Sequence, residues 1–155
     1  MSEAILPPVV TQIGIIVRDI ERTAQRYSRL FGVPVPSIVI TDGYDKARTT
    51  YEGQPSHARA KLAFFKLGQV SLELIEPIGE PSTWQKHLDE KGESVHHVAF
   101  QVKGTPQVVA ALAEEGIPVQ QQGYYTGGMY TYVDSAEQLG VCLELLENFD
   151  GPTED

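Results

Sequence analysis

Hydrophobic and polar residues follow one another along this chain in a pattern that comes twice. Residues 11–17 (TQIGIIV) and 96–102 (HHVAFQV) are rich in β-branched and apolar residues, which suit a pleated, buried strand. A helical pattern follows each. In the first, Ile20, Ala24, Tyr27, Leu30 and Phe31 recur at helical spacing behind Asp19, a good N-cap, and Gly32 ends the run. In the second, Thr105 is expected to cap, Pro106 to occupy the first turn, Val109 and Leu112 to face inward, and Gly116 to stop the helix. Further strands are predicted over 35–40, 59–67 and 70–76, and again over 118–121, 128–133 and 141–147. The order is β-α-β-β-β, twice.

The repeat extends to the letters. QIGIIVRDIERTAQRYSRLFGVPV (12–35) aligns over HVAFQVKGTPQVVAALAEEGIPV (97–119) with a one-residue gap, and the halves close with LELIE (72–76) and LELLE (143–147). The predicted fold class is α+β, with two tandem βαβββ modules forming a curved mixed sheet around a central cavity. One domain is expected over 1–155. The first module is 9–77 and the second 95–147, and the linker 78–94 carries a short helix gripped by Trp84 and Leu88. Residues 41–58 read as a long excursion, of the kind that is often functional. The ends, 1–8 and 148–155, are expected to fray.

Side chains alternate along a strand, so Leu72, Leu74 and Glu76 share one face while Ser71, Glu73 and Ile75 share the other. Leu143 and Leu145 oppose Cys142, Glu144 and Leu146 in the same way. Leucine–glutamate alternation is how many half-buried strands are written, and it is compatible with glutamates that face water. The duplication supports a second reading. Gln12 and His97 head their units at equivalent positions, and Glu73 and Glu144 close them. Modules packed about a pseudo-twofold axis would bring the four together, and a buried carboxylate pair repels itself unless a cation lies between. An imidazole, two carboxylates and an amide oxygen suit a divalent ion of mixed nitrogen and oxygen donors.

His96 competes with His97 for the same role. Alternation is expected to put the two on opposite faces, and the register with Gln12 selects His97. His57 and His87 fall in loop and linker. Cys142 is expected to be a small buried thiol.

Composition narrows the classes. The net charge is −9, which disfavours a nucleic-acid partner. No apolar run approaches the length of a membrane span, and the N-terminus shows no basic leader, so no membrane partner and a cytoplasmic location are expected. The lone Cys142 agrees with a reducing compartment. Lys46, Arg48, Arg59, Lys61 and Lys66 cluster in a stretch whose one acid is Glu52, either as a solvated face or as an anchor for an anionic substrate. YYTGGMY (124–130) is expected to form a mobile wall.

Four segments, TQIGIIVRDIERTAQRY, SLELIEP, VHHVAFQV and GVCLELLE, spread over about residues 9–147, resemble the vicinal oxygen chelate superfamily. That superfamily includes glyoxalase I, methylmalonyl-CoA epimerase, extradiol dioxygenases and the bleomycin- and fosfomycin-resistance proteins. The resemblance implies that Gln12, Glu73, His97 and Glu144 hold one divalent metal ion (zinc, nickel, cobalt, manganese or magnesium) in the central cavity. It also implies a metal-dependent isomerase, epimerase or lyase in which Glu144 or Glu73 takes a proton next to a chelated carbonyl, through an enolate. The substrate would be a small anionic carbonyl compound such as an acyl thioester, and the chain a homodimer. The alternative on the same fold is a non-catalytic binding or resistance protein. Ile16 and Pro77 stand where glyoxalase I carries residues for glutathione. Leu62 stands where bacterial epimerases carry an added glutamate, and Gln12 removes a histidine that an extradiol iron site needs.

Overall fold

The computed structural model describes residues 3–149. Its strands are β1 (Gln12–Ile16), β2 (Val39–Ile40), β3 (Thr50–Tyr51), β4 (Gln54–Pro55), β5 (Arg59–Leu67), β6 (Val70–Ile78), β7 (Ser94–Gln101), β8 (Val119–Tyr125), β9 (Gly128–Val133) and β10 (Cys142–Asn148). They form one curled mixed sheet in the order β2-β5-β6-β1-β7-β10-β9-β8-β3-β4. β1 and β7 pair antiparallel at the centre, while β6 runs parallel to β1 and β10 parallel to β7. Each half thus repeats the other about the β1–β7 seam, as the duplication predicts.

The helices are α1 (Ile20–Phe31), α2 (Tyr44–Ala47), α3 (Thr83–Lys91), α4 (Thr105–Glu114) and α5 (Ala136–Leu139). Ile20 and Ala24 of α1 pack on the leucine face of the first half, with Ala63, Phe65, Leu72 and Leu74. Leu112 of α4 packs on that of the second half, with Val133, Leu143 and Leu145. Leu30, expected on the packed face of α1, is 78% exposed. The opposite, concave face is filled by α3, whose Trp84 is buried among Ile16, Ala60, Ile75, Tyr132 and Cys142, with Leu88 against the same cluster. Among the described residues, no helix is long and apolar enough to cross a membrane.

Each module closes its own helix from its last strand. Asp19 caps α1 as predicted, accepting from Arg22 N, and Glu76 accepts from Ile20 N at 3.0 Å. Thr105 does not cap α4. The cap position is Gly104, in the left-handed region at φ 70°, and it is Glu147 that accepts from the amides of Gly104 and Thr105 and from the Thr105 hydroxyl. The two last glutamates of LELIE and LELLE are therefore helix-closing residues on the outer face, favoured beside the positive end of a helix.

The excursion 41–58 is largely structured: after α2, β3 pairs with β8 and so carries a segment of the first module to the far edge of the second. The predicted strand 35–40 shrinks to two residues, whereas 118–121 lengthens to Tyr125. YYTGGMY forms the end of the β8–β9 ladder, with Tyr124 opposite Met129 and Tyr125 opposite Gly128. Ile5 and Leu6 pack against the α4 cluster, and Asn148 ends β10. The fraying expected at residues 1–2 and 150–155 lies outside the described residues.

Replacing Glu147 by alanine removes the acceptor for the first turn of α4. Urea unfolding is expected to show a loss of about 1 kcal/mol with an unchanged m-value.

Candidate metal centre

Register places the four expected residues in two adjacent rows on the concave face. One row runs Phe64, Glu73, Gly14, His97, Cys142, and the next runs Ser71, Gln12, Ala99, Glu144, Tyr132. The centre of each row holds a small residue, and that is what lets long side chains from flanking strands meet above it. At Gly14 the need is strict: a Cβ there would come within 2.0 Å of His97 Cε1. An isolated glycine within a strand pattern signals such a close approach. Sequence reasoning passed over Gly14, although this signal was available.

The two histidines do not take opposite faces. The pairing of β1 with β7 shifts between Gly14, opposite His97, and Ile15, opposite Val95, so His96 is the extra residue of a β-bulge. Alternation fails at that point. Both rings are buried and stand edge to face, with their Nδ1 atoms 2.9 Å apart. It is His97 that meets the other three. Its Nε2 lies 3.0 Å from Gln12 Oε1, 3.1 Å from Glu144 Oε1 and 3.4 Å from Glu73 Oε1. The three ionisable donors, Glu73, His97 and Glu144, have ligand atoms within 4.8 Å of one another, all from one chain.

One nitrogen can offer at most one hydrogen, and three oxygens surround it. Among the described residues, Glu73 Oε1 and Glu144 Oε1 are buried without a well-directed donor. Glu73 is 7% exposed, Glu144 3% and His97 not at all. Burial works against a charged His97, but the adjacent carboxylates of Glu144 and Glu73 outweigh it and push its pKa up to about 10. Burial, with Glu144 nearby, likewise raises Glu73 above the usual carboxylate range, although His97 pulls it down. Two buried carboxylates, an imidazole and an amide oxygen converging on one point fit a divalent cation. The orphaned carboxylate oxygens are the atoms it would satisfy, and its charge would balance theirs.

Aromatic rings wall this set. Tyr132 lies 5.1 Å from His97 by ring centroids, and its hydroxyl accepts from the Trp84 indole. Burial and the two carboxylates hold the Tyr132 phenol well above its ordinary pKa. Cys142, expected to be an inert thiol, is buried, and burial with the Glu144 charge pushes it up to about 12. The cationic stretch is dispersed. Lys61 pairs with Glu76 at 3.5 Å and Glu21 at 3.7 Å on the outer face, and Arg59 donates to the Thr41 carbonyl. Lys66, opposite Ser71, shares the Glu73 face. His57 packs against Tyr44 with the rings tilted, and His87 lies 2.8 Å from Ser94 Oγ, so neither joins the site.

A curled sheet built of two such modules, with its donors on the four central strands, defines a class, and comparison with known proteins agrees. The profile of the Glyoxalase/Bleomycin resistance protein/Dioxygenase superfamily matches residues 11–133, and the chain belongs to this superfamily. Uncharacterized protein YqjC of Bacillus subtilis (strain 168) is 32% identical over 93 residues, 57% of this chain and 66% of that protein. A hypothetical protein of Bacillus halodurans C-125 has a similar structure, with a TM-score of 0.64 and 21% identity, covering 93% of this chain and 96% of that one. So does methylmalonyl-CoA epimerase from Mycobacterium tuberculosis, at 0.63 and 20%, covering 96% and 93%. A methylmalonyl-CoA epimerase in complex with methylmalonyl-CoA and NH4+ scores 0.62 at 23% identity, covering 90% and 93%.

Two outcomes are expected from the packing of this cluster. Gly14→Ala should destabilise the protein by about 1–3 kcal/mol, measured by thermal unfolding, because the new methyl group displaces the His97 ring. In metal-free protein, His97 is held near pKa 10 when folded against 6.5 when free, so its contribution is full below about 6.5 and disappears as pH rises through 10. The raised Glu73 acts in the same direction. Urea midpoints should fall from pH 6.5 to 10, and His97→Gln should flatten that fall; an equal slope in the variant would remove the imidazolium from the account.

Proposed function

We propose that this chain is a metal-dependent isomerase, epimerase or lyase that removes a proton from the carbon beside a carbonyl of a small anionic substrate, such as an acyl thioester. The observation that carries the reading is the convergence of Gln12, Glu73, His97 and Glu144, with two carboxylate oxygens buried and unsatisfied. A divalent ion held by these four would supply Lewis acidity, polarising the carbonyl and making the neighbouring C–H acidic.

The chain's own groups supply the rest. Glu144 or Glu73 takes the proton, and for Glu73 the burial that raises its proton affinity suits the role of base. Trp84, Tyr132 and Ile75 keep water from the reacting carbon. The concave face continues from Glu73 through exposed Phe64 to Lys66, whose ammonium would meet the anionic end of the substrate. Leu62, opposite Ile75 on that face, adds no third acid, so one of the two glutamates serves as the base in each direction. The structural likeness to methylmalonyl-CoA epimerases supports the acyl thioester as the first substrate class to try.

Elemental analysis should find one divalent ion per chain in the wild type and none in His97→Ala or Glu144→Ala. The loaded protein, incubated in D2O with methylmalonyl-CoA and other α-acidic acyl thioesters, should introduce deuterium at the α-carbon. Glu144→Gln or Glu73→Gln, whichever removes the base, should slow exchange by about 100-fold or more. Full metal loading without exchange in any such compound would sink the proton-transfer reading.

A further inference from the structure

The bulge that brings His96 beside His97 also joins it to the first residue of the linker helix. His96 Nε2 lies 3.0 Å from Thr83 Oγ1, and the Thr83 hydroxyl donates to Gln120 Oε1 at 3.1 Å. Thr83 is fixed from a second side, since its amide donates to Gln121 Oε1 at 2.7 Å. Thr83, His96, His97 and Gln121 are all buried, so water competes little for the bonds among them, while Gln120 is half-buried.

Counting hydrogens gives the chain one direction. The single Thr83 hydroxyl hydrogen goes to Gln120, so toward His96 Thr83 can only accept, and His96 must carry a hydrogen on Nε2. At the far end, Nδ1 of His96 and Nδ1 of His97 are 2.9 Å apart, and two N–H groups cannot face each other at that distance. If His97 is to present the lone pair of Nε2 to a cation among Gln12, Glu73 and Glu144, its hydrogen must lie on Nδ1. His96 Nδ1 is then the acceptor. Both ends require the same arrangement.

We infer that Thr83 and His96 are positioning residues: the chain Gln120–Thr83–His96–His97 holds His97 as the Nδ1–H tautomer and directs its Nε2 lone pair into the donor set. This rests on the reading of that set as a metal centre. It makes the linker helix, through Thr83, part of the support of a residue two modules share, and partners of this kind outside the ligand shell raise ligand basicity and orient the ring.

Long-range ¹H–¹⁵N correlation spectra of the imidazoles in the full chain, metal-free and loaded with Zn²⁺, read the tautomers directly. His96 should carry its hydrogen on Nε2 in both states; His97 should carry one on Nδ1 in both, with a second on Nε2 in the metal-free imidazolium and none there once Zn²⁺ is bound. Zn²⁺ affinity, by competition with a chromophoric chelator, should fall about 10- to 100-fold in Thr83→Val and His96→Ala, and Thr83→Ser should recover the wild-type value. A hydrogen on Nδ1 of His96 overturns the inference, as does unchanged Zn²⁺ affinity in both variants. A wild type that binds no Zn²⁺, Co²⁺ or Mn²⁺ overturns the metal reading instead, while the metal-free spectrum still decides the tautomer of His96 by itself.

Discussion

Two carboxylates held together out of water are the constraint around which this fold is arranged. Like charges about 4 Å apart repel by roughly 4 kcal/mol at an effective dielectric near 20, and burial adds the loss of hydration. Glu73 and Glu144 nevertheless close on one imidazole nitrogen at the centre of the sheet. Everything around them limits that strain. His97 stands between them, Gln12 turns its carbonyl oxygen toward the same point, and Gly14 gives up its side chain so that the ring can fit. A cation at that point would turn the repulsion into attraction.

The same strands do a second, opposite job on their other face. Glu76 and Glu147, three residues beyond the buried pair, point outward and satisfy the first amides of α1 and α4. Each LEL-x-E segment thus joins the core of its module, the helix that covers it and half of the central site. The two halves are equal in this plan but not in detail. The excursion from the first module completes the far edge of the second, and the linker helix fills the concave face with Trp84. Through Thr83 that helix also touches the histidine pair, so the connection between modules is a structural part of the centre.

Much of this was legible along the chain because burial has a period. Strand and helix alternation revealed the duplicated order, the leucine faces, and the equivalence of Gln12 with His97 and of Glu73 with Glu144. It failed where a local rule was broken. The bulge at His96 removes strict alternation, so the opposite-face expectation for the two histidines was wrong although His97 is the one that meets the other donors. Thr105 looked like a cap, but a carboxylate from a strand far away in sequence took that role. The cations between Lys46 and Lys66 read either as a solvated face or as one anchor, and the pleat divides them, sending Lys61 to the outer face and Lys66 to the inner.

The sequence by itself determined the modules, the two faces of each closing strand and the residue types at the four equivalent positions, because these follow from neighbour-to-neighbour periodicity. Only the tertiary structure decided that the four meet at one nitrogen, that the ring for which Gly14 makes room is that of His97 and that Thr83 and His96 stand behind it. Apart from His96 beside His97, those contacts join residues 13 to 85 positions apart. They depend on strand register and on one extra residue in a ladder, and no local pattern encodes either.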